Sequence, residues 1–317
     1  MDYYPKLYPI QGLAGMGGGA TSFLVTEKGG GFLAWTNYNG DRGVWGGGYH
    51  SGHKNVLDYV TIASTGNAQD FGDLTTARRE NSACSNGTRG VWGGGRDTSN
   101  VTVNTMDYIT IANTGNASDF GDLAVAMKTA SATSNGTRGV YWVNTTINYI
   151  TIANTGNASD FGDLTANRNY TAATTNGIRG LCWSGYTGSA NSNIIDYVTI
   201  ATTGNATDFG DVWRERRGVS GTQDETRSVI GGGWTSDNDN TFEYVTTATL
   251  GNGTQLGTLV QAQTTMGACA NETRGVWGGG DISDQMDYIA IQTGGAASDF
   301  GNLTVGRNSS AAAAGAD

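Results

Sequence analysis

The sequence predicts an all-β protein: a single six-bladed β-propeller with four antiparallel strands in each blade and an irregular N-terminal arm. The first observation is a corner motif, Asp-Phe-Gly-Asp, that recurs in original or altered form at spacings of 49, 41, 48, 47 and 44 residues. The second is a composition of 51 Gly and only 2 Pro in 317 residues. The third is that no segment shows the apolar period of an amphipathic helix. A period in the forties in a glycine-rich chain is typical of propeller blades.

The corner motif supplies one bulky side chain to each unit. These side chains are Phe71, Phe120, Phe161, Phe209, Leu256 and Phe300. We expect each to lie between neighbouring blades, with the acids of the motif capping a turn. A calcium site would need more oxygen ligands converging at one place, so the motif does not indicate a metal.

The strands of one unit can be placed on residues 74–123. Small residues at 81–85 suit an inner strand, and Asn86-Gly87 is a tight-turn signal because both residues accept a positive φ. The second strand begins at Arg89 and ends at the glycines 93–95, where the backbone must bend. Residues 107–112 form the β-branched third strand, and Phe120 opens the outer strand.

The end of the chain does not coincide with the end of a blade. Residues 307–317 match residues 78–88, which form the inner strand of a blade and no later strand. At the other end of the chain, the first blade begins near Arg42 with its second strand. We therefore expect the C-terminal residues to complete the first blade, with residues 32–35 as the competing inner strand. The expected blades are 307–317 with 42–74, 78–123, 127–164, 168–212, 216–259 and 263–303.

Residues 1–36 differ from the repeats. They carry both prolines and two glycine runs, which indicates an arm packed across the disc or a segment that attaches to a partner. They show no basic stretch followed by an apolar one, and no run reaches the length of a membrane-spanning helix. We expect synthesis in a cytoplasm without a signal peptide, and no membrane insertion.

The charge balance narrows the possible partners. A net charge of -10 argues against nucleic acid and against an anionic membrane surface, since both require basic patches. The three cysteines show no close pairing, so we expect buried thiols that act as small apolar side chains.

The unit resembles the kelch repeat. Arg78, the segment 91–94 (Val-Trp-Gly-Gly) and Asp107-Tyr108 match it, and Phe120 stands where kelch repeats usually carry Trp. Met127 and Gln263 depart from the arginine, and residues 143–144 and 184–185 depart from the glycine doublet, so two blades are expected to be distorted.

The repeat sequence, carried by residues 86–95 and 107–123, is more similar to kelch-like proteins of marine bacteriophages than to cellular kelch proteins. This resemblance implies a structural protein of the virion tail or particle surface, present in many copies and docked to other virion proteins through residues 1–36. It implies no enzyme activity and no cofactor. Copper oxidases with kelch repeats need His, Tyr and Cys ligands, whereas this chain has only His50 and His53, with no third metal ligand indicated.

One arginine recurs at the start of each second strand. The copies include Arg89, Arg138, Arg179, Arg227 and Arg274. We expect them to hydrogen-bond to neighbouring carbonyls or to the corner carboxylates, a structural role.

The connections differ between the two faces of the disc. Loops between second and third strands vary in length and share a face with the linkers to the next blade, whereas the Asn-Gly-Thr and Thr-Gly-Asn turns on the opposite face are nearly constant. Candidate binding residues on the variable side are Tyr49, Tyr186, Trp213, Arg214, Arg216 and Trp234. They could stack on sugar rings or on a partner protein, or pack at blade junctions.

These residues leave two functions open: a virion component presenting a host-contact face, or a module that binds or processes cell-surface glycan. Catalysis would require clustered carboxylates, and we expect Asp237 and Asp239 to be solvated loop acids.

Overall fold

The computed structural model describes residues 40–281 and 283–316. Within them the chain forms an all-β, six-bladed propeller, as predicted. The expected N-terminal arm, residues 1–36, lies outside the described residues.

Each blade is an antiparallel sheet whose strands are named here inner, second, third and outer, from the axis to the perimeter. In that order the strands are Ala311–Gly315, Arg42–Gly46, Val56–Thr61 and Gln69–Asp73 in blade 1; Ser82–Ser85, Arg89–Gly93, Thr105–Thr110 and Ser118–Asp122 in blade 2; Ser131–Ser134, Arg138–Thr151 and Ser159–Arg168 in blade 3; Ala172–Thr175, Arg179–Trp183, Ile194–Thr199 and Thr207–Asp211 in blade 4; Ser220–Gln223, Arg227–Gly231, Thr241–Thr246 and Thr254–Thr258 in blade 5; and Gly267–Ala270, Arg274–Gly278, Gln285–Ala290 and Ser298–Asn302 in blade 6. Two short pairings add to these sheets: Arg78–Arg79 with Arg96–Asp97, and Gly295–Ala296 alongside the outer strand of blade 5.

Blade 3 departs from four strands. The single strand Arg138–Thr151 occupies the positions of the second and third strands, because the loop between them has nearly disappeared. Blade 4 keeps separate strands although Ser184 replaces a glycine: Ser184 has φ 48° and Gly185 has φ 111°, close to Gly94 and Gly95 in blade 2. Of the two blades expected to be distorted, only blade 3 has an altered strand pattern.

The closure of the ring is confirmed. Ala311–Gly315 pairs antiparallel with Arg42–Gly46, with Ala313 opposite Val44. The competing arrangement, with residues 32–35 as the inner strand, is wrong because that place is already filled. The inner strands contact one another in a complete cycle, in which the inner strand of blade 6 contacts that of blade 1. Closure of this kind leaves no free sheet edge at the junction.

The hydrophobic core is divided among the blade interfaces, with one buried cluster at each of the six. The largest side chains are the second-strand tryptophans, which are fully buried: Trp45, Trp92, Trp142, Trp183 and Trp277. The three cysteines are free and buried in these clusters or beside them. Burial raises the pKa of the Cys84 thiol to about 12, so it stays protonated and inert.

The corner motif joins neighbouring blades. Phe71 is only 2% exposed, and its ring packs edge-on against Tyr59 with centroids 5.9 Å apart. The next residue, Gly72, has φ 142°, and a Cβ there would lie 2.4 Å from the Gly115 carbonyl oxygen of the next blade. The Gly115 N–H in turn donates to the Phe71 carbonyl at 2.7 Å. The repeated Phe-Gly is therefore an inter-blade contact, and a side chain on the glycine would push the blades apart.

Candidate recognition face

The topology gives the disc two faces. The variable face carries the loops between second and third strands and the linkers from each outer strand to the next inner strand. The uniform face carries the remaining turns. On the variable face, loop and linker of the same blade pair through isolated bridges, such as Tyr49 with Asn308 and Tyr186 with Asn169.

The recurrent arginines serve the architecture. Arg89 donates from Nη1 to the carbonyls of Ile152 and Ala153 in the next blade, at 3.1 and 2.9 Å. Its guanidinium also lies 4.3 Å from the ring centroid of Tyr108 in its own blade. The same carbonyl contact to the following blade is made by Arg42, Arg138, Arg179, Arg227 and Arg274. Backbone carbonyls are thus the partners observed.

A second set of arginines is fully buried in the linkers. Arg78 pairs with Asp107 at 2.9 Å, and neither side chain is exposed. Arg168 with Asp196 and Arg307 with Asp58 repeat this pair at 2.6 and 2.8 Å.

The linker arginine of blade 5 was expected to be a binding residue, and this expectation is wrong. Arg216, counted among the candidates of the variable face, is fully buried and lies 3.1 Å from Glu243 and 3.4 Å from Asp239. Its side chain cannot reach a ligand on the surface. Alignment of the repeats could have indicated this burial, because Arg216 occupies the same repeat position as Arg78.

The expectation that Asp239 is a solvated loop acid is also wrong. It is 4% exposed, not solvated. Burial alone would raise its pKa, but hydrogen bonds from Thr241 and Arg214 and the charge of Arg216 bring the pKa below the ordinary value. Asp239 is an ionised structural acid that holds Arg214 at 2.7 Å.

The remaining cations of the described chain, residues 40–281 and 283–316, all lie on the variable face. They are Lys54, Arg79, Arg96, Lys128, Arg214 and Arg217. Three of them cover aromatic rings: the guanidinium of Arg79 lies 4.7 Å from the Tyr49 centroid, that of Arg217 lies 4.5 Å from Tyr186, and that of Arg214 lies 5.3 Å from Trp213.

The candidate aromatic residues fall into two groups. Tyr49, Tyr186 and Trp234 pair with linker residues that lead directly into inner strands, so they surround the axis. Trp213 follows the outer strand of blade 4, nearer the perimeter, and is 51% exposed. The face therefore has an axial group and a separate peripheral group that contains Trp213 and Arg214.

A ring of backbone hydrogen bonds encircles the axis on this face. Six residues, one from each linker, have φ between 53° and 64°, and each N–H donates to the carbonyl of the one before it at 2.8–3.1 Å. They are Glu80, Thr129, Tyr170, Gly218, Thr265 and Ser309. The ring was not predicted from the sequence because its members share a backbone conformation and no side-chain type. Each follows the linker arginine position by two residues, and that constant offset is the signal that could have found it.

The ring opens into a cavity on the axis. Its volume is about 410 Å³, including the solvent at its open end, and it is lined by ring residues and by the residues that follow them. Burial, followed by the charge of Glu80, raises the pKa of Tyr170 at its rim.

The two histidines lie in the loop of blade 1. His53 packs edge-on against Tyr49, with ring centroids 5.5 Å apart, and burial together with the charge of Arg79 lowers its pKa. Across residues 40–281 and 283–316, no group of three or more His, Cys, Asp or Glu side chains is placed to hold a metal ion.

Comparison with known proteins identifies no family for the chain. No family model matches it, and no curated protein shows significant similarity to it. The described part of the chain contains no helix with the length and apolar character needed to cross a membrane.

Proposed function

We propose that this protein is a non-enzymatic scaffold of a bacteriophage virion, associated with the tail or particle surface, whose variable face contacts the host surface or a protein partner. One observation carries the proposal: cations outside the repeated architecture, and the aromatic rings they cover, are concentrated on that face. Recognition sites usually lie on variable connections held by a rigid scaffold.

The sequence of the repeat supports a location in the virion. The kelch-like pattern around residues 78–123 is similar to that of marine phage proteins, and residues 1–36 are the proposed attachment to other virion proteins.

The experiment combines imaging with competition. Cryo-electron microscopy of purified particles should show six-bladed discs, and the purified protein should compete with particles for adsorption to host cells. Trp234→Ala on the variable face should weaken the competition, whereas Ile178→Ala, an exposed change on the uniform face, should not. Particles without discs, or equal competition by both variants, contradict the proposal.

A second candidate function is carbohydrate binding. It is favoured by Trp213, an exposed ring beside the Arg214 guanidinium, because such a pair can stack on a sugar and hydrogen-bond to its hydroxyls. Screening on a glycan array tests it. Binding that is lost in Trp213→Ala and kept in Ile178→Ala supports this function, and an array without any binding rejects it.

A further inference from the structure

The linker between blades 4 and 5 departs from the other five linkers at three consecutive exposed positions, Trp213, Arg214 and Glu215. The residues on either side, Val212 and Arg216, are buried and keep the repeat pattern. In the other linkers the position of Trp213 is occupied by Thr75, Ala124, Thr165, Val260 and Thr304. Because the departure is confined to side chains that face solvent, packing of the blades does not account for it, and it indicates recognition.

The backbone of this linker is the same as elsewhere. The Trp213 N–H donates to the Glu243 carboxylate at 2.5 Å, as the Thr75 N–H donates to Asp107 at 3.2 Å in the linker between blades 1 and 2. A threonine therefore satisfies the same backbone contact. The indole of Trp213 adds a large aromatic ring to the surface, where 51% of the residue is exposed.

A fixed hydrogen-bond donor lies beside this ring. The Arg214 guanidinium is over the Trp213 ring, 5.3 Å from its centroid, and Nη1 donates to the Asp239 carboxylate at 2.7 Å. Half of the Arg214 side chain stays exposed, so its donor fork is held in place and remains open to solvent. The acid is also particular to blade 5. The same loop position in the other blades that keep this loop is occupied by Lys54, Val103, Ser192 and Ser283.

The charges around the ring cancel. The ionised carboxylate of Asp239 offsets the charge of Arg214, and Glu243 lies 3.1 Å from the buried Arg216. Glu215, the next residue after Arg214, adds an exposed negative charge. The site therefore carries no excess positive charge, in a protein with a net charge of -10. An acidic ligand would be repelled here, whereas an uncharged one would not.

We infer that this peripheral group binds an uncharged pyranose residue, which packs its C–H face on Trp213, accepts hydrogen bonds from Arg214 and donates to Glu215. The inference rests on carbohydrate binding as the second proposed function. It adds that the site selects uncharged over acidic sugars, and that Asp239 is a positioning residue that both orients Arg214 and offsets its charge.

The probes are two matched pairs of methyl glycosides, titrated against the full chain by saturation-transfer NMR. Methyl β-glucoside is paired with methyl β-glucuronide, and methyl β-galactoside with methyl β-galacturonide, so each pair differs only by a carboxylate. We expect saturable binding of an uncharged member and weaker binding of its acidic counterpart, with the difference shrinking as salt is added. No saturable binding, or acidic members that bind as well as uncharged ones, overturns the inference.

The aromatic contact has a matched control one linker further along the chain. Trp213→Ala should lower the affinity for the uncharged glycoside about tenfold, because the stacking surface is lost. Val260→Ala removes a 47% exposed side chain at the same repeat position and should leave the affinity unchanged. Unchanged affinity in Trp213→Ala would place the sugar elsewhere and overturn the inference.

The charge balance is tested by two further variants. Glu215→Gln and Asp239→Asn each leave Arg214 less compensated, so the affinity for the acidic glycoside relative to the uncharged one should rise about two- to fivefold. Glu215 is exposed, so its variant should keep the melting temperature of the unmodified protein. In Asp239→Asn the buried Arg216 keeps Glu243 as its counterion. A ratio that stays the same in Glu215→Gln contradicts the selection by charge.

This inference and the proposed functions can fail separately. A protein that binds uncharged and acidic glycosides equally, and loses both in Trp213→Ala, retains carbohydrate binding and loses the inferred selectivity. A protein that competes for host adsorption but binds no glycoside retains the virion function and loses both carbohydrate proposals.

Discussion

Blades 2 and 6 carry different charges at the same pair of buried repeat positions. In blade 2, Arg78 pairs with Asp107. In blade 6, Gln263 takes the place of the arginine, while Asp287 keeps the carboxylate and is only 5% exposed. Burial raises the pKa of Asp287, and hydrogen bonds from the Val260 N–H and from Gln285 offset this only in part.

In blade 3 the same pair of positions carries no charge. Met127 and Asn148 occupy the two positions, and the Ala124 N–H donates to Asn148 Oδ1 at 3.0 Å. An equivalent linker N–H donates to the acid in the other two blades, from Thr75 to Asp107 at 3.2 Å and from Val260 to Asp287 at 2.9 Å. The backbone donor is thus the constant part of this contact, and the cation is optional. A buried ion pair is weak evidence of stabilisation, but breaking one is costly.

The largest expected effect comes from breaking the pair in blade 2. Arg78→Met should lower the free energy of unfolding by about 3–5 kcal/mol, because Asp107 is left as a buried charge without a counterion. Urea denaturation followed by tryptophan fluorescence measures the change. The matched control is Arg78→Met with Asp107→Asn, which copies blade 3 and should recover most of the loss. A double variant no more stable than Arg78→Met would show that the cation itself is required.

The next effect tests the lone acid of blade 6. Asp287→Asn should stabilise the protein at pH 7 by about 1–2 kcal/mol, because a buried charge is removed while the amide can still accept from Val260. The folded-state pKa of Asp287 is raised, so folding binds its proton more tightly, and its contribution falls as pH rises above the unfolded value near 3.8. The advantage of the variant should therefore shrink as pH is lowered from 7 to 4. An advantage that is independent of pH would mean that ionisation of Asp287 is not its source.

The smallest effect comes from supplying the missing cation. Gln263→Arg should raise the free energy of unfolding at pH 7 by about 1 kcal/mol by pairing with Asp287, since Arg78 makes the same contact in blade 2. The same change in an Asp287→Asn background should be destabilising, because the guanidinium then has no counterion. Thermal denaturation of the unmodified protein, the two single variants and the double variant gives the coupling between the two residues, and a coupling of zero contradicts the pairing.

The fold was predictable because its signals are local and repeated. The six corner motifs, five with phenylalanine and one with Leu256, predicted the number of blades, and the match between residues 307–317 and 78–88 predicted the closure. Blade 3 shows the limit of this reasoning, since its short loop brought two strand positions into the single strand Arg138–Thr151.

The candidate site was predictable only in part. The variable face followed from loop lengths, but exposure could not be read from residue type: Arg216 is fully buried while Arg214, two positions earlier, is 50% exposed. The axial cavity was missed because Asn81, Ser310 and Tyr170 gain their common environment only when six linkers meet at one axis.

The axial ring of hydrogen bonds also has a consequence for the order of folding. One of its six bonds, from the Glu80 N–H to the Ser309 carbonyl, joins residues from opposite ends of the propeller, whereas the other five join consecutive linkers. Bringing Glu80 and Ser309 together costs loop-closure entropy that local hairpins do not pay, so this contact forms late. The amide of Glu80 therefore reports the event in which an open arc of folded blades becomes a circle, and its hydrogen exchange should follow that event.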